Sequence, residues 1–540
     1  MKRRSFVGSL LAGLLPPGTR AAERPSPADR LRFAHGVASG DPGTDRIILW
    51  TRISGAVDET IAVDWQVASD PGMDRVIRDG MVETGPYRDF TVKVDAGGLP
   101  AGETLYYRFS TSRPGERVVQ SVVGRTRTLP EGPLATARFA VASCANHPYG
   151  YFHAYREISK RDDIDAVIHL GDYIYEYGLG GYATERAEAL GRVPEPTHEA
   201  ISLDDLRQRH AQYKRDPDLM ALHAAHPMIA VWDDHEIAND AWRGGAQNHQ
   251  PEEGSWAARR DAAIQAWLEW MPVRAAHDGD RTRIFRRFDY GDLLTLLMLD
   301  TRLYGRDRQP DAGEGVTPEM VENAMADGTR RLLGREQEQW LREQIDGAGT
   351  TWQVIGQQVM VSPTRSPDLE PLLDLDRDSM LPREQLEQYV AMSKGNPPML
   401  LDTWNGYPRA RRDFLEDVSR ASNPVILSGD LHTSMAGDLI PDGADAPVAV
   451  ELMTGSITSP GFAEYLPEVR AGAVCDATLA LNPSLAYMET DRRGWLCVSF
   501  DREQCTAEWH LLDTVQRENY VSAIDRTLSV RAGGIARGLG

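Results

Sequence analysis

Four short apolar runs in this chain end abruptly in residues that bind metals or move protons. Residues 139–142 lead into Ser143 and Cys144, and 166–170 into Gly171 and Asp172. Residues 228–232 lead into Asp233, Asp234, His235 and Glu236, and 425–427 into Ser428, Gly429, Asp430, Leu431 and His432. Between such runs lie segments, such as 203–223, 255–270 and 334–346, with apolar residues at helical spacing. The alternation predicts an α/β or α+β layered domain around a substantial sheet. In layered sheets ligands gather beyond the carboxyl ends of strands. Four such ends brought together would make a polynuclear metal site.

Each motif has a chemical and a structural reading. Gly171 lets the chain turn sharply, so that Asp172 can offer both oxygens to two cations. Tyr175 follows three residues later; a free phenol ionises only near pH ~10, so a phenolate ligand would need a strongly Lewis-acidic ion such as ferric iron. A helix-capping Asp beside a cluster of Tyr173, Tyr175 and Tyr177 is the structural alternative. The stretch 233–240 holds Asp233, Asp234, His235, Glu236, Asn239 and Asp240. Its oxygens suit calcium, magnesium or manganese, and His235 could bind metal or donate a proton to a leaving group. The apolar run ahead argues against a merely solvated acidic turn. Asp430 and His432, two apart on an extended segment, can face one site together. Cys144 is either a small buried hydrophobe or a thiolate ligand for a transition metal. Thiol, phenol and imidazole favour iron and an all-oxygen pocket favours calcium, so the inventory suggests a mixed-metal centre.

Bulk properties narrow the partners. A length of 540 residues predicts two domains. A formal net charge of −21 argues against nucleic acid and against passive binding to an anionic membrane. It also slows anionic substrates, which would need local positive charge such as metal ions. Lys2, Arg3 and Arg4, a short apolar run to Leu15 and small residues near Ala21 describe an export signal over 1–22, of twin-arginine type. The protein is therefore expected to be exported already folded, to the periplasm or outside the cell. Beyond the signal, no stretch has 18 uninterrupted apolar residues. Cys475, Cys497 and Cys505 could give one disulfide and one free thiol, with the pairing open. After a Pro- and charge-rich linker at 23–30, short alternating runs over 33–129 predict an all-β sandwich of immunoglobulin or fibronectin type, a domain over 23–130 with a boundary near 130–133.

Together, G-D-x-x-Y at 171–175, the D-H-E block at 234–236 and the late G-x-x-H at 429–432 resemble the calcineurin-like and purple acid phosphatases. Cys144, Asp234 and Asp430 depart from those proteins in the way that the PhoD-type alkaline phosphatases do. The segments at 36–42, 49–52, 171–177, 232–236, 299–302, 333–341, 402–407 and 428–432 are similar to that family in order, except that Asn405 stands where it commonly has Asp. The resemblance implies an α+β layered β-sandwich metallophosphoesterase domain with helices outside, over 134–515, followed by a tail from 516 to 540. It implies one ferric iron, held by Cys144, Asp172, Tyr175 and His432, and two calcium ions, held by Asp172, Asp234, Asn239 and Asp430. Asp172 and His235 are the expected catalytic residues, acting on small phosphoesters by direct attack of a water-derived oxygen, and the twin-arginine translocase is the expected export partner. The rival readings are a phosphodiesterase of phospholipase D or teichoic-acid type, a two-metal zinc or manganese phosphatase, and a binding protein with a dead site.

Overall fold

The computed structural model describes residues 30–55, 58–276, 278–311, 318–373, 383–466, 469–533 and 538–539. The export signal expected over 1–22 lies outside them. Two large sheets face each other. The first has nine strands, in the order Ser522–Arg531, Gln504–Leu512, Arg493–Phe500, Ala137–Ala142, Ala166–His169, Pro227–Ala230, Val37–Gly40, Arg46–Arg52 and Thr91–Gly97. The second has seven: Arg286–Tyr290, Leu294–Met298, Trp352–Gly356, Pro424–Ser428, Ala449–Met453, Ser434–Leu439 and Leu485–Glu489.

The centre of each sheet is parallel. Such strands are covered on both sides, which is why they read as unbroken apolar runs. Ala166–His169, Pro227–Ala230 and Pro424–Ser428 are buried at every position. Neighbouring side chains point to opposite faces. Leu296, Val354, Leu427 and Leu452 meet Phe139, Ile168 and Ile229 in the core between the sheets. Their neighbours Leu297, Ile355 and Ile426 pack outward with Leu341, Ile345, Phe414 and Val418 of helices Arg335–Gly347 and Pro408–Val418. Helix Leu203–Lys214, outside the first sheet, begins at a capping box of Ser202 and Asp205.

Two features go beyond the expected domains. The N-terminal region expected over 23–130 is not confined to sheets of its own. A five-stranded sheet of Val76–Thr84, Ile61–Ala68, Thr104–Thr111, Val119–Gln120 and Gly124–Arg127 packs on Arg46–Arg52 and Thr91–Gly97. Those strands belong to the nine-stranded sheet, because Val37–Gly40 pairs parallel with Pro227–Ala230. Residues 516–540 are not simply a tail either: Ser522–Arg531 pairs along the whole of Gln504–Leu512 and forms a sheet edge. Five consecutive positions of that strand, 523–527, are exposed, which hides it from a hydrophobic pattern. The bridge considered among the late cysteines is not formed; Cys144, Cys475, Cys497 and Cys505 are all free thiols.

Candidate metal centre

The predicted residues meet where the parallel strands of both sheets end. Cys144, Asp172, Asp430 and His432 each have a positive φ, of 61°, 54°, 68° and 54°. Side-chain-bearing residues rarely adopt this region, and it clusters at functional sites. Here it turns the chain immediately after each strand and aims four polar side chains into one space. Gly171 is required by proximity: a Cβ there would lie 2.4 Å from the Cβ of Asp233. Glu236 ties these two loops together, accepting from the backbone N–H groups of Asp172 (3.1 Å), Tyr173 (2.7 Å) and Asp233 (2.8 Å).

One half of the site gathers a thiol, a phenol and an imidazole. Donor atoms of Cys144, Asp172 and His432 lie within 4.8 Å of one another. The Tyr175 hydroxyl donates to Asp172 Oδ2 at 2.8 Å and lies 3.2 Å from His432 Nε2. His432 Nδ1 is 2.8 Å from the Pro460 carbonyl, so that nitrogen carries the proton and Nε2 presents its lone pair to the site. Burial lowers the His432 pKa to about 3, which keeps the ring neutral. Burial, with Asp172 and Asp430 nearby, pushes the Cys144 thiol well above its ordinary range. A thiolate here needs a cation beside it.

The other half is all carboxylate. Asp172, Asp233, Asp234 and Asp430 share one space, and Asp234, Asp240 and Asp402 the next. The fully buried Arg302 sits among them, donating to Asp233, to Asp402 Oδ2 at 2.5 Å and to Asp430 Oδ1 at 3.0 Å. Arg306 donates to Asp402. This positive charge falls short of the negative. Burial together with neighbouring acids, Arg302 opposing, raises Asp430 to about 7. Burial, then Asp402 and Asp234, raises Asp240 to about 7. Asp172 is pushed well up by burial, with Asp234 and Asp233 adding and His235 opposing. Asp234 is the exception: burial opposes its charge, yet Arg302 and His235 hold it at about 2. Its Oδ1 is buried without a hydrogen-bond partner. An orphaned carboxylate oxygen in an under-neutralised pocket fits a bound cation.

His235 lies between the halves. Its backbone N–H donates to Asp172 Oδ1 at 3.3 Å, its ring stacks on Tyr175 at 4.3 Å, and its Nδ1 is 2.8 Å from Glu176 Oε2. Burial disfavours its charge, but Glu176, Asp234 and Asp172 outweigh burial and raise its pKa well above the ordinary value. Asn239 stands at the rim, its Nδ2 donating to Asp240 Oδ1 and Gln247 Oε1.

Cys144, Asp172, Tyr175, Asp234, His235, Asp430 and His432 therefore lie at this site, and Asn239 at its rim. Asp240, read in the sequence as part of an oxygen-rich stretch, belongs to it too, and Arg302, Asp402, Glu176 and Ser459 join it without having been assigned to it. Arg302 had a signal, since it follows the apolar run 293–299 as Asp-Thr-Arg, in the pattern of the other strand ends. Asn405 lies away from the acids. Its Nδ2 donates to the carbonyls of Met399 (2.6 Å) and Thr364 (3.4 Å), which a carboxylate cannot do. Asn405→Asp is therefore expected to cost about 1–3 kcal/mol of stability in urea unfolding, with turnover of the folded enzyme unchanged.

Two facing sheets whose parallel strand ends deliver carboxylates, imidazole, thiol and phenol to one buried point define a metallophosphoesterase. The comparisons agree in detail. Residues 139–509 match the PhoD-like phosphatase family and residues 19–130 match the PhoD-like phosphatase N-terminal domain. Alkaline phosphatase D of Bacillus subtilis (strain 168) is 33% identical over 506 residues, covering 89% of this chain and 78% of that protein. The solved structure of PhoD superposes with a TM-score of 0.78 at 31% identity, covering 94% of this chain and 91% of that one. The purple acid phosphatase PPD1 of yellow lupin (Lupinus luteus) seeds shares the fold, at a TM-score of 0.53 and 11% identity, covering 91% and 73%. The chain belongs to the PhoD-like phosphatase family. It is a phosphoester hydrolase homologous to alkaline phosphatase D.

Proposed function

We propose that the protein is an exported alkaline phosphatase that releases inorganic phosphate from small phosphoesters at a mixed iron and calcium centre. The observation that carries the reading is the division of the site: a thiol–phenol–imidazole half and an all-carboxylate half, with Asp172 common to both. Cys144, Asp172, Tyr175 and His432 would hold ferric iron; Asp172, Asp234, Asn239 and Asp430 would hold two calcium ions. When bound, the ions supply Lewis acidity and positive charge for the phosphoryl oxygens. That charge is also what draws an anionic ester to a chain of net charge −21.

The chain's own groups do the rest. Arg302 fixes Asp233, Asp402 and Asp430 in place and offsets part of their charge. His235, held by Glu176 and flat against Tyr175, is placed to protonate the leaving oxygen. The Ser459 hydroxyl is held between the Cys144 carbonyl (2.9 Å) and the Tyr175 oxygen (2.7 Å) with its one proton committed there, which argues against a nucleophilic role. Direct hydrolysis by water, without a phosphoenzyme, is supported by that arrangement.

The test is metal analysis of protein recovered from the exported fraction, with turnover of a chromogenic monoester and diester with and without calcium. Iron near one per chain, a phenolate-to-iron absorption band and calcium-dependent monoester turnover are expected. Zinc or manganese without that band would overturn the mixed centre. Turnover confined to the diester would make the protein a phosphodiesterase.

A further inference from the structure

Away from the catalytic centre, Cys497, Glu508 and His510 stand on one face of the nine-stranded sheet. Strands Arg493–Phe500 and Gln504–Leu512 pair antiparallel, with Cys497 directly opposite Glu508 and Trp495 opposite His510. Glu508 and His510 are two apart on their strand and so share that face. One donor atom from each of the three residues lies within 4.8 Å of the others. None of them belongs to the catalytic group.

Several features mark this trio as more than a chance meeting. The His510 ring stacks on Trp495 at 4.2 Å with an interplanar angle of 11°, which fixes its plane. Its Nε2 is buried without a hydrogen-bond partner and lies 3.9 Å from Glu508 Oε2. Cys497 is buried and reduced. The nearby Arg161 is committed elsewhere: it donates twice to Asp163, at 2.7 and 2.8 Å, and its guanidinium lies 5.9 Å from the centre of the Trp495 ring. The Glu508 side chain keeps 32% of its exposure, so an ion can enter from solvent.

We propose that Cys497, Glu508 and His510 form a second cation site, selective for zinc or a similarly soft divalent ion. Sulfur, nitrogen and oxygen donors match zinc, whereas calcium and magnesium prefer all-oxygen shells. Three protein ligands leave the fourth tetrahedral position to water. The bound ion cross-links two strands close to the Ser522–Arg531 edge and stabilises that side of the sheet. It replaces the thiol proton, which leaves to solvent.

The experiment uses the holoenzyme, with its catalytic centre loaded, and adds Zn2+ or the spectroscopic probe Co2+. Wild type is compared with Cys497→Ser and His510→Gln, each first shown to melt cooperatively without added metal. Wild type is expected to retain one more equivalent of zinc than either variant after gel filtration. Its affinity should exceed that of His510→Gln by roughly tenfold or more. Cobalt should give a sulfur-to-metal charge-transfer band that Cys497→Ser lacks. Zinc should raise the melting temperature of wild type alone, with calcium-dependent turnover equal in all three. Equal zinc content and an unchanged cobalt band across the three proteins would overturn the site. Should Cys497→Ser fail to fold, His510→Gln decides by the same zinc count.

Discussion

Asp172→Asn is expected to lower kcat/KM for a phosphomonoester by roughly a hundredfold to a thousandfold, the scale seen when a group stabilising transition-state charge is removed. Asp172 meets Cys144 and His432 on one side and Asp233, Asp234 and Asp430 on the other. Loss of its charge therefore weakens both halves of the site together. The substitution keeps the volume but leaves one accepting oxygen, so only one of the bonds from the Tyr175 hydroxyl to Oδ2 and from the His235 backbone N–H to Oδ1 survives. It also removes a carboxylate that burial and other acids disfavour. Stability without metal should accordingly change little, the lost hydrogen bond offsetting the relief of charge, while turnover and metal content fall. Steady-state kinetics, metal analysis and a melting curve on one preparation test this. Turnover within tenfold of wild type at full metal content would remove Asp172 from the centre.

Arg302→Met should act through charge balance. The guanidinium is fully buried and pairs with four carboxylates, those of Asp233, Asp234, Asp402 and Asp430. Deleting one partner of a buried ion pair leaves uncompensated charge and costs about 3–5 kcal/mol. The penalty should depend on pH. In chelator-treated protein, Asp430 and Asp240 titrate near 7 when folded, whereas free Asp titrates near ~3.9. Between those values the folded state holds protons that the unfolded chain has lost. The stability these two groups contribute therefore falls as pH rises from about 4 to about 7. Arg302→Met removes the cation that opposes the upward shift of Asp430, so its decline should be steeper and extend to higher pH. Urea unfolding of both chelated proteins at several pH values measures this. Parallel pH profiles would show that Arg302 does not set the carboxylate charge.

The ligand-bearing loops were legible because each lies within a few residues of a buried parallel strand. A local pattern, apolar run then acid or His, therefore carries tertiary information. Arg302 and Asp402 were harder: their partners lie 69 to 128 residues away for Arg302 and 96 or 100 away for Asp402. No local spacing encodes such pairings. Glu176 sat unremarked beside Tyr175, since its part is to hold His235 from another strand end. Strand content was clear over 33–129, but its division between two sheets turns on the pairing of Ser39 with Pro227, which periodicity cannot report.

The nine-stranded sheet takes strands from Val37 near one end of the chain to Arg531 near the other. During synthesis, Pro227–Ala230 finds its N-terminal neighbour early, but Ala137–Ala142 lacks Arg493–Phe500 until more than three hundred further residues have emerged. For that interval an apolar strand presents an open edge, the condition under which β-proteins aggregate. A chain built this way matures late and as a whole. Circular permutants that open the chain between residues 142 and 493 should therefore change its folding yield more than its final stability.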